Sequence, residues 1–478
     1  MNLVQMEVPY LKNVKLIMKM KTTNKYILIV FSLFTLVTTK AQLLGGGEEN
    51  PNLKTNAKAL ESFKDLRFGM FIHWGPVALR GTEISWSRGK QVDIADYDDL
   101  YKEFNPVLFN AATWVKTAKD AGMKYIVLTT RHHDGFCLWD SEYTDYDMGN
   151  TPYGKGIIKE LVEECKKQGI AFGAYYTVCD WKHKDYPVVY PYKGNVRVDR
   201  ELKDPTEKEG MQRYVRYMKN QLKELIDDYD PAFIWFDGEW EWAWTHEMGM
   251  DMYKYLRELK DDILINNRVD KGREGMKGTT KSTIYAGDYA TPEQQIGKFD
   301  TKNAWESCIT IASQWAWKAN DKLKTKKECI QTLVSTLGGD GNLLLNVGPM
   351  ADGRIEQRQI DRLKEVGDWV KSNQDAIYGT RGGPYLPTDY MVTTRKDNKI
   401  FLHLLKHPQK ELKIILPKKT KIKKAYFLDG NIPVKTTNGK KSTTIILPAV
   451  LPDENVSVII LELNTSAMEQ EITAVQNN

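Results

Sequence analysis

Asp237 closes the apolar run Phe233-Ile234-Trp235-Phe236 and is followed at once by Gly238. A short apolar run ended by glycine reads as a fully buried strand. Burying a carboxylate is costly unless it is paired or put to use, and the carboxyl ends of parallel strands are where α/β folds place their chemistry. A helix cap or a structural hydrogen bond is the plainer alternative for this one residue. Other strand-like runs end in the same way. They finish in His73-Trp74-Gly75-Pro76, Arg131-His132-His133-Asp134-Gly135, Tyr175-Tyr176, Asn266-Asn267-Arg268, Asp288 to Glu293, Trp305-Glu306 and Asn346-Val347-Gly348-Pro349. Three of the chain's seven histidines stand in this set, which favours a site over isolated structural histidines. His73, His132, His133 and Asp237 could hold a metal. Yet neighbouring residues such as His132 and His133 point to opposite faces of a strand unless a bulge intervenes, and no HxH or HExxH spacing is present. The alternative is sugar recognition, in which imidazoles and indole N–H groups bond hydroxyls and aromatic faces cover C–H surfaces. Paired carboxylates then point to glycoside hydrolysis, the reading preferred here.

The elements that must position these residues alternate. Strand-like runs are expected at 68–74, 125–130, 171–177, 233–237, 263–267, 282–286, 304–308 and 343–347. Helical segments lie between several of them, at 113–121, 155–168, 208–229, 246–260 and 326–337, with another at 356–373. Such alternation implies a parallel sheet. About eight units over roughly 300 residues fit an α/β fold of the (β/α)8 TIM-like barrel type; an open doubly wound sheet lacks a supporting GxGxxG or P-loop. Gly338-Gly339-Asp340-Gly341-Asn342 lacks the Lys-Ser/Thr ending of a phosphate loop and reads as a tight turn. After Pro384 the texture changes to short alternating runs separated by Pro, Gly and Asn, the pattern of a C-terminal antiparallel β-sandwich. The expected division is 1–41 a signal peptide, 42–383 a barrel with a Gly-rich leader, 384–465 the sandwich and 466–478 a polar tail.

Residues 26–37 are an apolar run preceded by five lysines and followed by Thr39-Lys40-Ala41. This is the pattern of a secretory signal peptide, too short for a comfortable membrane span. Export to the periplasm or the medium is therefore expected, with no membrane span after cleavage. Residues 1–41 hold six Lys and one Glu, so their removal takes the net charge from +5 to near zero. Nothing basic then remains to favour nucleic acid or an anionic membrane. The five cysteines, Cys137, Cys165, Cys179, Cys308 and Cys329, are odd in number and contain no CxxC, so neither a disulfide framework nor a zinc site is indicated.

Several longer motifs, in order, resemble the α-L-fucosidases of glycoside hydrolase family 29. They are Phe68-Gly69-Met70-Phe71-Ile72-His73-Trp74-Gly75, Tyr125 through Phe136, Trp235-Phe236-Asp237-Gly238, Asn342 through Pro349 and Tyr378-Gly379-Thr380. The resemblance implies a retaining exo-glycosidase that releases terminal α-L-fucose from a fucosylated oligosaccharide or glycoconjugate, with no metal or organic cofactor. Asp237 matches the nucleophile. His73, His132, His133, Tyr175, Trp235 and Arg268 match positions that contact fucose, and Trp86 and Trp315 match sugar-contacting positions less closely. Arg268 would also keep the nucleophile ionised. The general acid/base varies in position within the family. Glu293 is ranked first here because Pro292 stiffens its loop and its side chain is long. Asp288 follows, then Glu306 and Glu83. A related exo-glycosidase for L-galactose or a modified fucose, and an inactive fucose-binding protein, are the alternatives.

Overall fold

The computed structural model describes residues 53–187, 204–408, 411–417, 419–439 and 442–475, all within one compact unit, Gln42–Asn478. The expected signal peptide and most of the Gly-rich leader lie outside the described residues. Seven parallel strands form one sheet: β1 (Phe68–Ile72), β2 (Tyr125–Arg131), β3 (Ala171–Thr177), β4 (Phe233–Asp237), β5 (Leu264–Ile265), β6 (Glu306–Thr310) and β7 (Asn342–Val347), in the order β5-β4-β3-β2-β1-β7-β6. The gap between β5 and β6 is closed by an irregular segment. Asp288 N–H donates to Ile265 O, Asn267 N–H to Tyr289 O, Ala290 N–H to Ala304 O, and Cys308 N–H to Pro292 O, at 2.7–3.0 Å. Residues 288–294 therefore occupy the eighth strand position, and the strand expected at 282–286 is absent. Pro292 has no N–H to give a ladder, which accounts for the irregularity.

Strand parity separates two cores. Phe71, Tyr125, Val127, Tyr175, Phe233, Trp235 and Leu344 fill the barrel interior, while Met70, Ile72, Ile126, Leu128, Ile234, Phe236, Leu343 and Leu345 face the helices. The two-residue period carries Asp237 into the interior row of Phe233 and Trp235. Helix α1 (Ala57–Leu66) plugs the amino end, with Phe63 packed 4.6–6.1 Å from the rings of Tyr289, Phe233 and Tyr125. A Cβ at Gly69 would lie 2.4 Å from the Tyr125 ring, so this floor requires glycine in β1. The short helix α2 (Ile94–Asp99) follows β1. Around the sheet run α3 (Ala111–Asp120), α4 (Ile158–Gln168), α5 (Pro205–Tyr229), α6 (His246–Leu259), α7 (Lys326–Gly338) and α8 (Gln357–Asn373). Helix α5 starts where Asp204 caps the Thr206 N–H and proline takes the first turn. The Gly-rich turn after α7 packs on Trp305, and its Asp340 accepts from Gly382 N–H and Arg67.

The C-terminal part pairs a five-stranded antiparallel sheet with a three-stranded one. The first contains β8 (Arg381–Gly382), β9 (Met391–Lys396), β10 (Lys399–Leu404), β12 (Ile422–Phe427) and β15 (Ser457–Leu463). The second contains β11 (Glu411–Ile414), β13 (Lys435–Asn438) and β14 (Thr443–Ile446). Two expectations change here. The sheet begins at Arg381, ahead of residue 384. The expected polar tail is docked through residue 475: Arg395 donates to the carbonyls of Ala467, Met468 and Gln470, and Tyr385 bridges Thr473. Of its apolar residues, Ala467 and Val475 are buried while Met468 and Ile472 are exposed, a pattern too sparse to read as an element.

Candidate active site

Asp237 ends β4 facing inward and is 8 % exposed. Arg268, from the turn after β5, donates Nη1–H to Asp237 Oδ1 at 2.6 Å, and the Tyr175 hydroxyl donates to Oδ2 at 3.1 Å. Burial alone would raise the Asp237 pKa, but the Arg268 charge, helped by His133 and Arg273, holds it below the usual carboxylate range. Gly238 takes φ +93°, and a Cβ there would meet Cys179 Sγ at 2.7 Å. Glycine is thus needed to turn the chain directly after the carboxylate.

Three histidines surround Asp237, each held through Nδ1. His73 Nδ1 lies 2.6 Å from Asn346 Oδ1, His132 Nδ1 2.6 Å from Ser85 Oγ, and His133 Nδ1 2.6 Å from Thr177 Oγ1. Asn346 Nδ2–H donates to Trp315 O, so its Oδ1 must face His73 as an acceptor. His73 Nδ1 therefore carries the proton and its Nε2 is an acceptor. His133 Nε2 is buried, has no hydrogen-bond partner among the described residues and lies 3.7 Å from Asp237 Oδ2. Burial pushes His73 down to about 3 and His133 down to about 4, and holds His132 well below the usual imidazole value. All three are neutral near pH 7. The expected opposition of His132 and His133 does not arise. The β2–β3 register shifts near Thr129–Arg131 and the strand ends at Arg131, so the two rings lie on one side with centroids 4.1 Å apart. His132, His133 and Asp237 offer donor atoms within 4.8 Å of one another, a possible cation cluster. Arg268 already supplies a cation to that carboxylate.

The other expected residues separate by role. Trp235 is 1 % exposed, donates its indole N–H to Glu306 Oε1 at 2.9 Å and carries the Arg268 guanidinium 4.4 Å from its ring centre. It is a floor under the arginine, with its donor already used. Trp86 stacks on Trp240 at 6.3 Å and meets Trp181 edge-on at 5.1 Å, and all three rings stand 5.0–5.9 Å from His133. Trp315 lies 4.7 Å from His73 and 6.0 Å from Phe71. Trp244, in contrast, is fully buried and donates to Val269 O beneath the loop.

Among the acid candidates only Glu293 shares a partner with Asp237. Its Oε2 lies 3.0 Å from Arg268 Nη2 and 3.0 Å from Arg273 Nη2. Asp288 is corrected to a structural carboxylate. It accepts from Thr55, Tyr253, both oxygens from Arg257, and the Ile265 N–H, because the ladder to β5 turns its side chain toward α6. Glu306 is also displaced. It opens β6 where a strand end was expected, and accepts from Tyr125 and Trp235 below the floor, with burial pushing it up to about 7. Glu83 accepts the backbone N–H groups of Ile84, Trp315 and Ala316 and so anchors the Trp315 loop. Sequence reasoning named Asn346 as a strand end without giving it a role, and missed Ser85, Thr177, Glu239 and Arg273. Parity could have found Asn346, two residues beyond the inward Leu344. Arg273 sits in an irregular loop without such a signal.

A family model described as alpha-L-fucosidase matches residues 40–375. The alpha-L-fucosidase of Dictyostelium discoideum is 28% identical over 389 residues, 74% of this chain and 78% of that protein. Human plasma alpha-L-fucosidase is 27% identical, covering 72% and 76% respectively. Among solved structures, alpha-L-fucosidase isoenzyme 1 of Paenibacillus thiaminolyticus is 34% identical with a TM-score of 0.72, covering 85% of this chain and 99% of that one. A Bacteroides thetaiotaomicron alpha-L-fucosidase, solved as a trapped covalent intermediate with 2-fluoro-fucosyl fluoride, is 28% identical with a TM-score of 0.77, covering 86% and 97%.

Proposed function

Because the chain belongs to the alpha-L-fucosidase family, we propose that it releases terminal α-L-fucose from glycans by double displacement, with Asp237 as nucleophile and Glu293 as acid/base. The observation that carries this assignment is the shared arginine. Arg268 holds Asp237 Oδ1 on Nη1 and Glu293 Oε2 on Nη2, so one guanidinium gathers the two carboxyl groups that glycoside hydrolysis uses. In the first step an Asp237 oxygen bonds the anomeric carbon as the glycosidic C–O bond breaks, and the Glu293 proton passes to the leaving oxygen. Asp237 is ionised for this attack because Arg268 and Tyr175 bind its charged form. Ester formation removes the Asp237 charge. Arg268 then acts more strongly on Glu293 and lowers its proton affinity as it becomes the base. In the second step water gives its proton to Glu293, attacks the same carbon and frees Asp237. The neutral histidines are suited to bind the sugar hydroxyls, His73 as an acceptor through Nε2. Trp315, backed by the buried Phe71, supplies the apolar surface that a C6 methyl group would meet.

Kinetics on an aryl α-L-fucoside test the roles. Glu293→Ala is expected to lower kcat by about 10²–10⁴-fold, with azide restoring turnover and giving the retained azide. Asp237→Gly is expected to be rescued by azide with inversion. Turnover of Glu293→Ala near that of the parent would contradict the assignment. A large preference for the fucoside over the matching α-L-galactoside is expected from the apolar wall.

The N-terminal pattern supports export: a basic stretch, an apolar run of signal length and small residues near Ala41. Mature protein beginning near residue 42 in a periplasmic or secreted fraction is the expected result. Full-length protein confined to the cytosol would contradict it. No helix among the described residues is long and apolar enough to cross a membrane.

A further inference from the structure

Glu239 stands two residues beyond the nucleophile and is 4 % exposed. Its Oε1 lies 3.2 Å from Arg273 Nη1, and its Oε2 is buried with no hydrogen-bond partner among the described residues. A carboxylate kept only for structure looks different in this protein: every Asp288 oxygen is bonded, and four separate groups donate to them. Leaving a buried carboxylate oxygen unbonded costs stability, so Glu239 needs another reason to be there. Arg273 supplies one. Its two terminal nitrogens bridge Glu239 and Glu293, as those of Arg268 bridge Asp237 and Glu293. The result is one alternating chain: Asp237, Arg268, Glu293, Arg273, Glu239. Both guanidinium groups bear on the same oxygen, Glu293 Oε2, which leaves Oε1 as the oxygen that can carry a transferable proton. Two uncompensated arginines on one carboxylate would hold it ionised and spoil it as an acid. Each arginine, however, has a second carboxylate.

From this geometry we infer that Glu239, acting through Arg273, is a positioning residue that sets the proton affinity of Glu293. The inference rests on the assignment of Glu293 as acid/base. Asp237 offsets Arg268 only until the ester forms, so that arm changes during the cycle. Glu239 offsets Arg273 throughout, so this arm is constant. The groups facing Glu239 are Arg273, Arg268, Asp237 and Lys271, whose ammonium donates to the Glu239 carbonyl. Those facing Glu293 are Arg268, Arg273 and the Cys308 thiol. Burial raises the Glu239 pKa above the ordinary glutamate value, so its compensation is complete only on the alkaline side of its own titration.

The test is the pH profile of kcat/KM on an aryl α-L-fucoside with a poor leaving group. Glu239→Gln leaves Arg273 uncompensated, and the alkaline limb is expected to move down by about one pH unit, about tenfold in rate on that limb. Arg273→Gln is expected to move it up by a similar amount. The double variant is expected to return it toward the parent, since the two charges are removed together. Glu239→Asp keeps the charge and should keep the limb, which preserves the test should a neutral variant fold poorly. A limb that stays in place in both single variants, or that moves the same way in both, overturns the inference. Azide rescue of Glu293→Ala keeps the two readings apart. Rescue with an unmoved limb in Glu239→Gln sinks only the role of Glu239, whereas absence of rescue sinks the assignment of Glu293 itself.

Discussion

Asn346 shows how one residue defines the chemistry of another. Its amide orientation, fixed by Trp315 O, decides which nitrogen of His73 is protonated. Asn346→Leu removes both bonds and is expected to raise KM for an aryl fucoside by about tenfold, the cost of a hydrogen bond lost beside a buried partner; an unchanged KM would count against His73 as a hydroxyl acceptor. The same burial that lowers the imidazoles sets the pH behaviour. With His73 pushed down to about 3 and His133 to about 4, neither is expected to titrate between about pH 5 and 8, where an exposed histidine would. An NMR titration of the ring nitrogens checks this. The acid limb of activity should then follow Asp237, whose depressed pKa keeps it ionised as pH falls until its own, lower range is reached.

Elements decide which carboxylates can act. The irregular strand 288–294 points Asp288 toward Arg257 on α6 and Glu293 toward Arg268. Asp288→Asn is therefore expected to lower thermal stability, by about 3–5 kcal/mol if the Arg257 charge is left buried and unpaired, with kcat little changed; a large loss of kcat in a well-folded protein would reverse that reading. Glu306 gives a pH signature. Below about 4.5 it is neutral in both folded and unfolded chains. Between there and about 7 the unfolded chain ionises while the folded one stays protonated, so stability falls as pH rises across this window. Glu306→Gln is expected to flatten that slope in pH-dependent melts. The regular strands were legible in the sequence because they are short apolar and aromatic runs set between helical segments: β3 and β4 lie where expected, and parity carried Asp237 inward. Where pairing comes from isolated bridges, as at 288–294, local pattern carries no orientation. Asp288 and Glu293 looked equivalent in the sequence for that reason. β6 begins two residues later than expected because Ala304 and Trp305 pair only with the irregular segment, through the single bridge of Trp305 to Ala290.

At the scale of the molecule, barrel and sandwich share one core. Val392, Phe401, Val456, Val458 and Ile460 from the sandwich join the cluster that contains Ile330, Leu333 and Val334 of α7 and Trp369 of α8. The Trp369 indole N–H donates to Val456 O, and Gln331 donates to Leu405 O. A chain ended at residue 383 would expose that apolar face. It is expected to aggregate, while the whole protein melts in one transition. A soluble, active barrel ending at 383 would contradict the shared core. The change of sequence texture at Pro384 marked the sandwich, but not this packing. Contacts between distant segments leave no periodic trace in either one.

Covalent trapping is the most direct test of the central claim that Asp237 captures the sugar. Incubation with 2-deoxy-2-fluoro-α-L-fucosyl fluoride, digestion and peptide mass spectrometry should find one fluorofucosyl ester, on the peptide carrying Phe233 to Gly238, localised to Asp237. A label on any other residue, or turnover of the reagent with no ester formed in the intact enzyme, would contradict it.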